Sequence, residues 1–354
     1  MNQLQKALSV IFNTHRLKEK ILIVPSFSQG HQITESLVKD GHSYINLRIN
    51  TLSSLAHEII ALDLVKESIT IFPETSILII IEDLFTEIRG KKDSYFQNLE
   101  PREGMVDALA WAIRELRMCG IRSDEITPKH FLNRKKGSEI KELLTKYESL
   151  LKYNHYADKP EIMRRAMEKL KTEKTVPDNK LYLFISDTPY TALEKQFIEA
   201  LPGEKIVLPH DKVKGFSFPQ RYLEPTAKVE DSKVTSNIER LSWLFNPEDA
   251  PTRFEDSTVQ IFHAVGRRNE VREVLRKIVS AGLKSDEVEI IYTSYDDYVS
   301  LIYDMARKFD INITVEEGLP ITITHPGKAA LGFLSWVSSN YESIKLKQLK
   351  GVCT

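Results

Sequence analysis

Near the N-terminus, Lys20-Ile21-Leu22-Ile23-Val24-Pro25-Ser26-Phe27-Ser28-Gln29-Gly30-His31-Gln32-Ile33 constrains the fold more than any other stretch. Ile21 to Val24 are consecutive, apolar and rich in β-branching, the pattern of a fully buried strand. A polar turn follows. Ile33, Leu37 and Val38 then recur at helical spacing, which predicts a helix over residues 30 to 39. This is the outline of a phosphate-binding strand-loop-helix without its phosphate chemistry. A P-loop needs G-x-x-x-x-G-K-[ST], so that backbone amides cradle the phosphates while the lysine reaches the terminal ones. The Gly-Lys pairs of this chain, Gly90-Lys91 and Gly327-Lys328, have no glycine at the required upstream spacing. Pro25, Ser26, Phe27, Ser28, Gln29 and Gly30 therefore occupy a degenerate P-loop position.

The following residues continue the alternation of strand and helix. Residues 45 to 49 read as a second strand, and Thr51 can cap a helix carrying Leu52, Leu55, Ile59 and Ile60. This alternation argues for α/β layering with a parallel sheet. From Pro73 the pattern is helical alone: residues 74 to 89, a helix ending at Gly120, one capped by Ser138, and one from Asp158 to Leu170. Strand character returns at 180 to 185 and 205 to 209, separated by a helix with Leu193, Phe197 and Ile198. Residues 211 to 257 are polar, with scattered prolines, and read as an irregular connection interrupted by a short helix near 238 to 245. Strands are then expected at 259 to 263, 288 to 292 and 311 to 315, with helices between them and a last helix from about Pro326 to Tyr341. Residues 345 to 354 look like a helix start, so this second unit is expected to be truncated.

Composition narrows the function classes. With 49 basic and 50 acidic side chains there is no global field to attract nucleic acid, so any DNA contact must be a local patch. Two cysteines, Cys119 and Cys353, cannot form a metal framework and argue against a disulfide-stapled secreted protein. No signal peptide is evident, and no apolar run approaches the ~20 residues that span a bilayer. The histidines share no metal-ligand spacing with a Cys, Asp or Glu cluster, and no metal site is expected.

The order of elements resembles the superfamily-1 DNA helicase motor. The resemblance rests on Ile49-Asn50-Thr51-Leu52-Ser53-Ser54, Tyr147-Glu148-Ser149-Leu150-Leu151 with Asp158, and Leu181 to Asp187 followed by Thr191-Ala192-Leu193-Glu194. It extends to His263-Ala264-Val265-Gly266-Arg267-Arg268-Asn269-Glu270. Val24-Pro25-Ser26, without the lysine, is similar to what inactivated AddB-like and RecC-like subunits show in place of a P-loop. Many of these subunits carry a PD-(D/E)XK nuclease domain at the far C-terminus. The resemblance implies a degenerate P-loop-NTPase-like (RecA-like) parallel-sheet domain at 1–72 and 171–210, with an all-helical insertion at 73–170. The irregular connection at 211–257 would then lead to the start of a second RecA-like domain at 258–354. It also implies a role in DNA double-strand-break repair, contact with single-stranded DNA or a duplex end, an AddA-like helicase-nuclease partner and a bacterial cytoplasmic setting. It implies no cofactor in these residues, because magnesium and an iron–sulfur cluster would belong to a nuclease domain beyond Thr354.

Asp187 stands at the degenerate Walker B position without the Glu neighbour that an active motor uses to orient water, so no ATP hydrolysis is expected. Its ordinary role would be to cap the helix that follows. The candidates for nucleic-acid contact are Ser28, His31, Thr51, Arg134, Lys135, Lys136, Arg164, Arg165, Arg267 and Arg268. Trp111, Trp243 and Trp336 fall on apolar helical faces and are expected in the core. Two other readings stay open: an active nucleotide-using α/β protein with a degenerate loop, and an interaction module that binds no DNA.

Overall fold

The computed structural model describes residues 3–99, 103–172, 179–210, 219, 221–228, 234–316 and 318–341. The helix start expected at 345 to 354, Cys353 and parts of the expected connection (211–218, 220 and 229–233) lie outside them. The chain forms two compact units, Met1–Glu255 and Asp256–Thr354.

In chain order the first unit contains α1 (Gln3–Thr14), β1 (Glu19–Ile23), α2 (Phe27–Lys39), β2 (Leu47–Asn50), α3 (Leu52–Lys66), β3 (Thr70–Ile71), α4 (Ile77–Arg89) and α5 (Glu103–Met118). It continues with α6 (Arg134–Tyr153), β4 (Tyr156–Ala157), α7 (Lys159–Thr172), β5 (Lys180–Ile185), α8 (Ala192–Ala200), β6 (Glu204–Leu208) and the short α9 (Asn237–Arg240). The second unit has α10 (Arg267–Ser280), α11 (Tyr295–Lys308) and α12 (His325–Ser338).

A four-stranded parallel sheet, in the order β2-β1-β5-β6, organises the first unit and makes it α/β. Alternation along the strands splits the core into two layers. Ile21, Ile23, Tyr182 and Phe184 face α3, α7 and α8, while Leu22, Val24, Leu181, Leu183 and Ile185 face α1 and α2. The central strands are thus buried on both sides, as their unbroken apolar runs require. Lys20 opens the first run and is fully covered. Its Nζ donates to the carbonyls of His15, Arg16 and Lys18 at 2.8, 3.3 and 2.7 Å, satisfying acceptors just past the end of α1.

A third core belongs to the helical block. Phe85, Val106, Ile113, Ile140, Leu144 and Tyr147 pack α4, α5 and α6 together. The chain enters and leaves this block through the two-stranded pair β3-β4, extended by Thr70 N donating to His155 O (2.9 Å) and Phe72 N to Ala157 O (2.8 Å). Such two-residue strands carry no hydrophobic period from which they could be read.

Several sequence expectations are corrected here. Helix α7, expected within the helical block, instead buries Ile162, Met163 and Ala166 on the sheet beside α3 and α8. Helix α6 begins at Arg134 rather than being capped by Ser138. Asn133 Oδ1 accepts from Lys135 N and Lys136 N at 3.0 and 3.1 Å, and Ser138 Oγ only bonds back to Arg134 O. Gly137 belongs inside this helix because the Phe131 ring packs where its Cβ would stand, 2.6 Å from Cδ2. Trp111 is 65% exposed rather than in the core.

In the second unit α10 and α11 pack through Val271, Leu275, Ile302, Met305 and Ala306, with Ile290, Tyr292, Ile311 and Ile313 against them. The strands expected at 259 to 263, 288 to 292 and 311 to 315 form no ladder among the described residues. Alternation decides which face packs, as Ile290 and Tyr292 show beside the 87% exposed Ile291. It does not bring two backbones to the ~4.8 Å spacing that ladder hydrogen bonds need.

Candidate functional site

From β1 the sheet grows one way to β2 and the other way to β5 and β6, so its order reverses between β1 and β5. In open α/β sheets ligands bind outside the carboxyl ends of the strands at such a switch point. The register pairs Ile23 with Phe184, which sets residues 24 to 28 beside 185 to 188. Residues 25 to 30 and Asp187 therefore lie at the same edge of the sheet, although they are distant in sequence.

The loop at this edge is short. Helix α2 starts at Phe27, three residues earlier than the spacing of Ile33, Leu37 and Val38 suggests, so the loop is only Val24-Pro25-Ser26. Ser26 is the N-cap, and its Oγ accepts from Gln29 N at 3.2 Å, taking up one of the amides that an anion would need. Gly30 is buried one turn into the helix. A Cβ there would stand 2.3 Å from Ile49 Cγ2 and 3.2 Å from Val24 Cγ2, so this glycine serves close helix–sheet packing. Phe27, Ser28, Gln29 and His31 are exposed. Neither 24 to 31 nor 185 to 190 contains a lysine or arginine to offset phosphate charge.

Asp187 does not cap α8. Pro189 separates it from the helix, and the cap is Thr191: Thr191 Oγ1 accepts from Glu194 N at 3.3 Å, and Glu194 Oε2 accepts from Thr191 N at 2.9 Å. Asp187 Oδ2 instead lies 3.4 Å from Nδ1 of His210, a residue that sequence reasoning passed over. His210 follows β6, and the parallel pairing of β5 with β6 carries the end of that strand to the same edge. Thr51 is likewise a cap, accepting from Ser54 N at 3.1 Å.

The basic candidates separate clearly. Arg164 is buried, with Nη2 3.5 Å from Ile121 O; desolvation, then Arg117 and Arg122, push its guanidinium below the usual value. It has no surface to offer DNA. Arg165 bonds Glu67 at 2.7 Å and Glu161 at 3.1 Å, and Arg267 is paired with Asp297. Arg268 is exposed on the first turn of α10. Arg134, Lys135 and Lys136 are exposed at the head of α6, together with Lys129 and His130 of the preceding turn, which sequence reasoning missed. No ion pair holds this cluster among the described residues.

No group of three or more His, Cys, Asp or Glu residues is placed to hold a metal ion among the described residues. No described helix is long and apolar enough to cross a membrane. Comparison with known protein families and with curated proteins returns no match.

Proposed function

We propose that this chain is the non-catalytic, helicase-like portion of a DNA double-strand-break repair helicase-nuclease subunit. It would serve as scaffold and single-strand DNA channel beside an active AddA-like helicase. On this reading the sheet of the first unit is a degenerate RecA-like motor domain, and residues 258 to 354 begin a second one. The observation that carries the reading is the cluster of Lys129, His130, Arg134, Lys135 and Lys136. It is exposed and basic, at the head of α6, and its side chains can neutralise phosphates. A near-neutral chain binds DNA only through such local patches. The two segments that meet above β1, 24 to 31 and 185 to 190, carry no lysine or arginine to neutralise phosphate charge, which supports the non-catalytic part of the reading.

The test is fluorescence anisotropy with labelled oligo(dT) over a range of salt. Binding is expected to weaken steeply as salt rises, and K135E/K136E with R134E should lower the slope of log K against log salt by about 2. Absence of salt-sensitive binding, or an unchanged slope in the triple variant, would overturn the reading and favour an interaction module without DNA.

A further inference from the structure

The helical block carries apolar side chains on a face that is left exposed among the described residues. Trp111 is 65% exposed, Ile79 66% and Leu78 39%. Single exposed apolar residues are ordinary; these three share one place. The ion pair Glu74–Arg114, at 3.1 Å, pins the start of α4 against the last turns of α5. From Glu74, in the turn that opens α4, Leu78 lies four residues onward, and one turn back along α5 from Arg114 lies Trp111, so both lie along the seam in the same direction from the ion pair. Ile79 extends the patch outward.

Its surroundings are acidic. Glu82, Asp83, Asp107 and Glu115 are exposed on the same faces of α4 and α5, and the cations described beside them are engaged, Arg114 by Glu74 and Arg89 by the carbonyl of Leu99 at 2.8 Å. That charge repels nucleic acid and anionic lipid. A second copy of the same face would bring acid against acid. A tryptophan within an apolar group, ringed by polar side chains, has the make-up of an interface anchor.

We propose that the outward face of α4 and α5 docks a basic amphipathic segment of a partner protein. Trp111, Leu78 and Ile79 would take its apolar side, and Glu82, Asp83 and Asp107 its lysines or arginines. This surface is distinct from the basic head of α6 and does not depend on the DNA-binding reading.

The test uses the whole 354-residue chain and two labelled amphipathic helical peptides, one of leucine and lysine and one of leucine and glutamate, followed by anisotropy. The Leu-Lys peptide should bind saturably, and the Leu-Glu peptide at least ~10-fold more weakly. I79S/W111S, which changes only exposed positions, should weaken the Leu-Lys peptide ~10-fold or more, with unchanged far-ultraviolet circular dichroism. E82K/D83K should reverse the preference between the peptides. Equal affinity of the parent chain and I79S/W111S for the Leu-Lys peptide, or no preference for it over Leu-Glu, would overturn the proposal. So would self-association of the parent chain in sedimentation that I79S/W111S abolishes, because the occupant would then be a second copy.

Discussion

Arg117 and Asp158 are joined in the interior by two charge-assisted hydrogen bonds, Nε to Oδ2 at 2.7 Å and Nη2 to Oδ1 at 2.8 Å. The remaining guanidinium edge reaches Glu148 Oε1 at 2.9 Å, and Glu148 Oε2 accepts from Ser123 Oγ at 2.7 Å. Asp158 Oδ1 also accepts from Glu161 N at 3.1 Å, so the same carboxylate caps α7. Tyr147 lies 5.6 Å under the guanidinium. Burial first, then the Asp158 charge, holds its hydroxyl protonated well beyond the ordinary tyrosine range. One network thus fastens α5 and α6 of the helical block to α7 on the sheet, which gives the Tyr147, Glu148 and Asp158 spacing a structural cause.

Removing Arg117 should leave the buried Asp158 carboxylate without its cation, and removing Asp158 leaves the buried Arg117 with Glu148 alone. R117A or D158A is expected to lose about 3–5 kcal/mol of unfolding free energy in urea, whereas R117M/D158L should lose less than either. Singles within about 1 kcal/mol of the parent would show that the network contributes little.

Gly30 offers a test of packing against ligand binding. G30A should destabilise the first unit by about 1–3 kcal/mol, because the new methyl has no room beside Ile49 Cγ2. In an I49A background the penalty should shrink. Thermal melts of the four chains check this; a G30A penalty equal in both backgrounds would contradict the packing role.

The seam between α3 and α7 should respond to acid. Lys169 Nζ donates to Asp63 at 2.7 Å, and this hydrogen bond is the main cause that holds the Asp63 carboxyl below its usual range. A carboxylate depressed in the folded state gives stability that is fully present above its unfolded pKa of ~3.9 and fades as pH falls through the lower folded value. D63N should therefore be less stable than the parent at neutral pH, with the difference closing as pH drops below about 4. Denaturant melts across that range measure it, and a constant gap would refute the linkage.

No magnesium-dependent ATP hydrolysis is expected, and D187A should change nothing in a phosphate-release assay. Turnover that D187A abolishes would mean that the mouth above β1 and β5 still works as a nucleotide site.

Reading the sequence located this mouth but misjudged its parts. The missing lysine and the capping capacity of Thr51 follow from residues next to one another. A helix following Asp187 predicts a capping role for it, yet Thr191 stands closer and brings its own Glu194. The pairing with His210 depends on strand order, which no local pattern encodes.

The sequence alone determined where the backbone could pair and coil. Ile21 to Val24 and Leu181 to Ile185 are apolar without interruption, and Leu55, Ile60, Leu143 and Tyr147 recur at helical spacing, so strands and helices follow from periods within a few residues. Tertiary structure decided which charges are free and which apolar groups are covered. Arg165 and Glu67 are 98 positions apart and pair only once α3 and α7 share a face. Arg164, adjacent in sequence, is buried, while Trp111 is left in solvent. Burial and ion pairing are properties of neighbours in space, so the long-range packing of α7 on the sheet and of α4 on α5 had to be in place before either residue had a defined role.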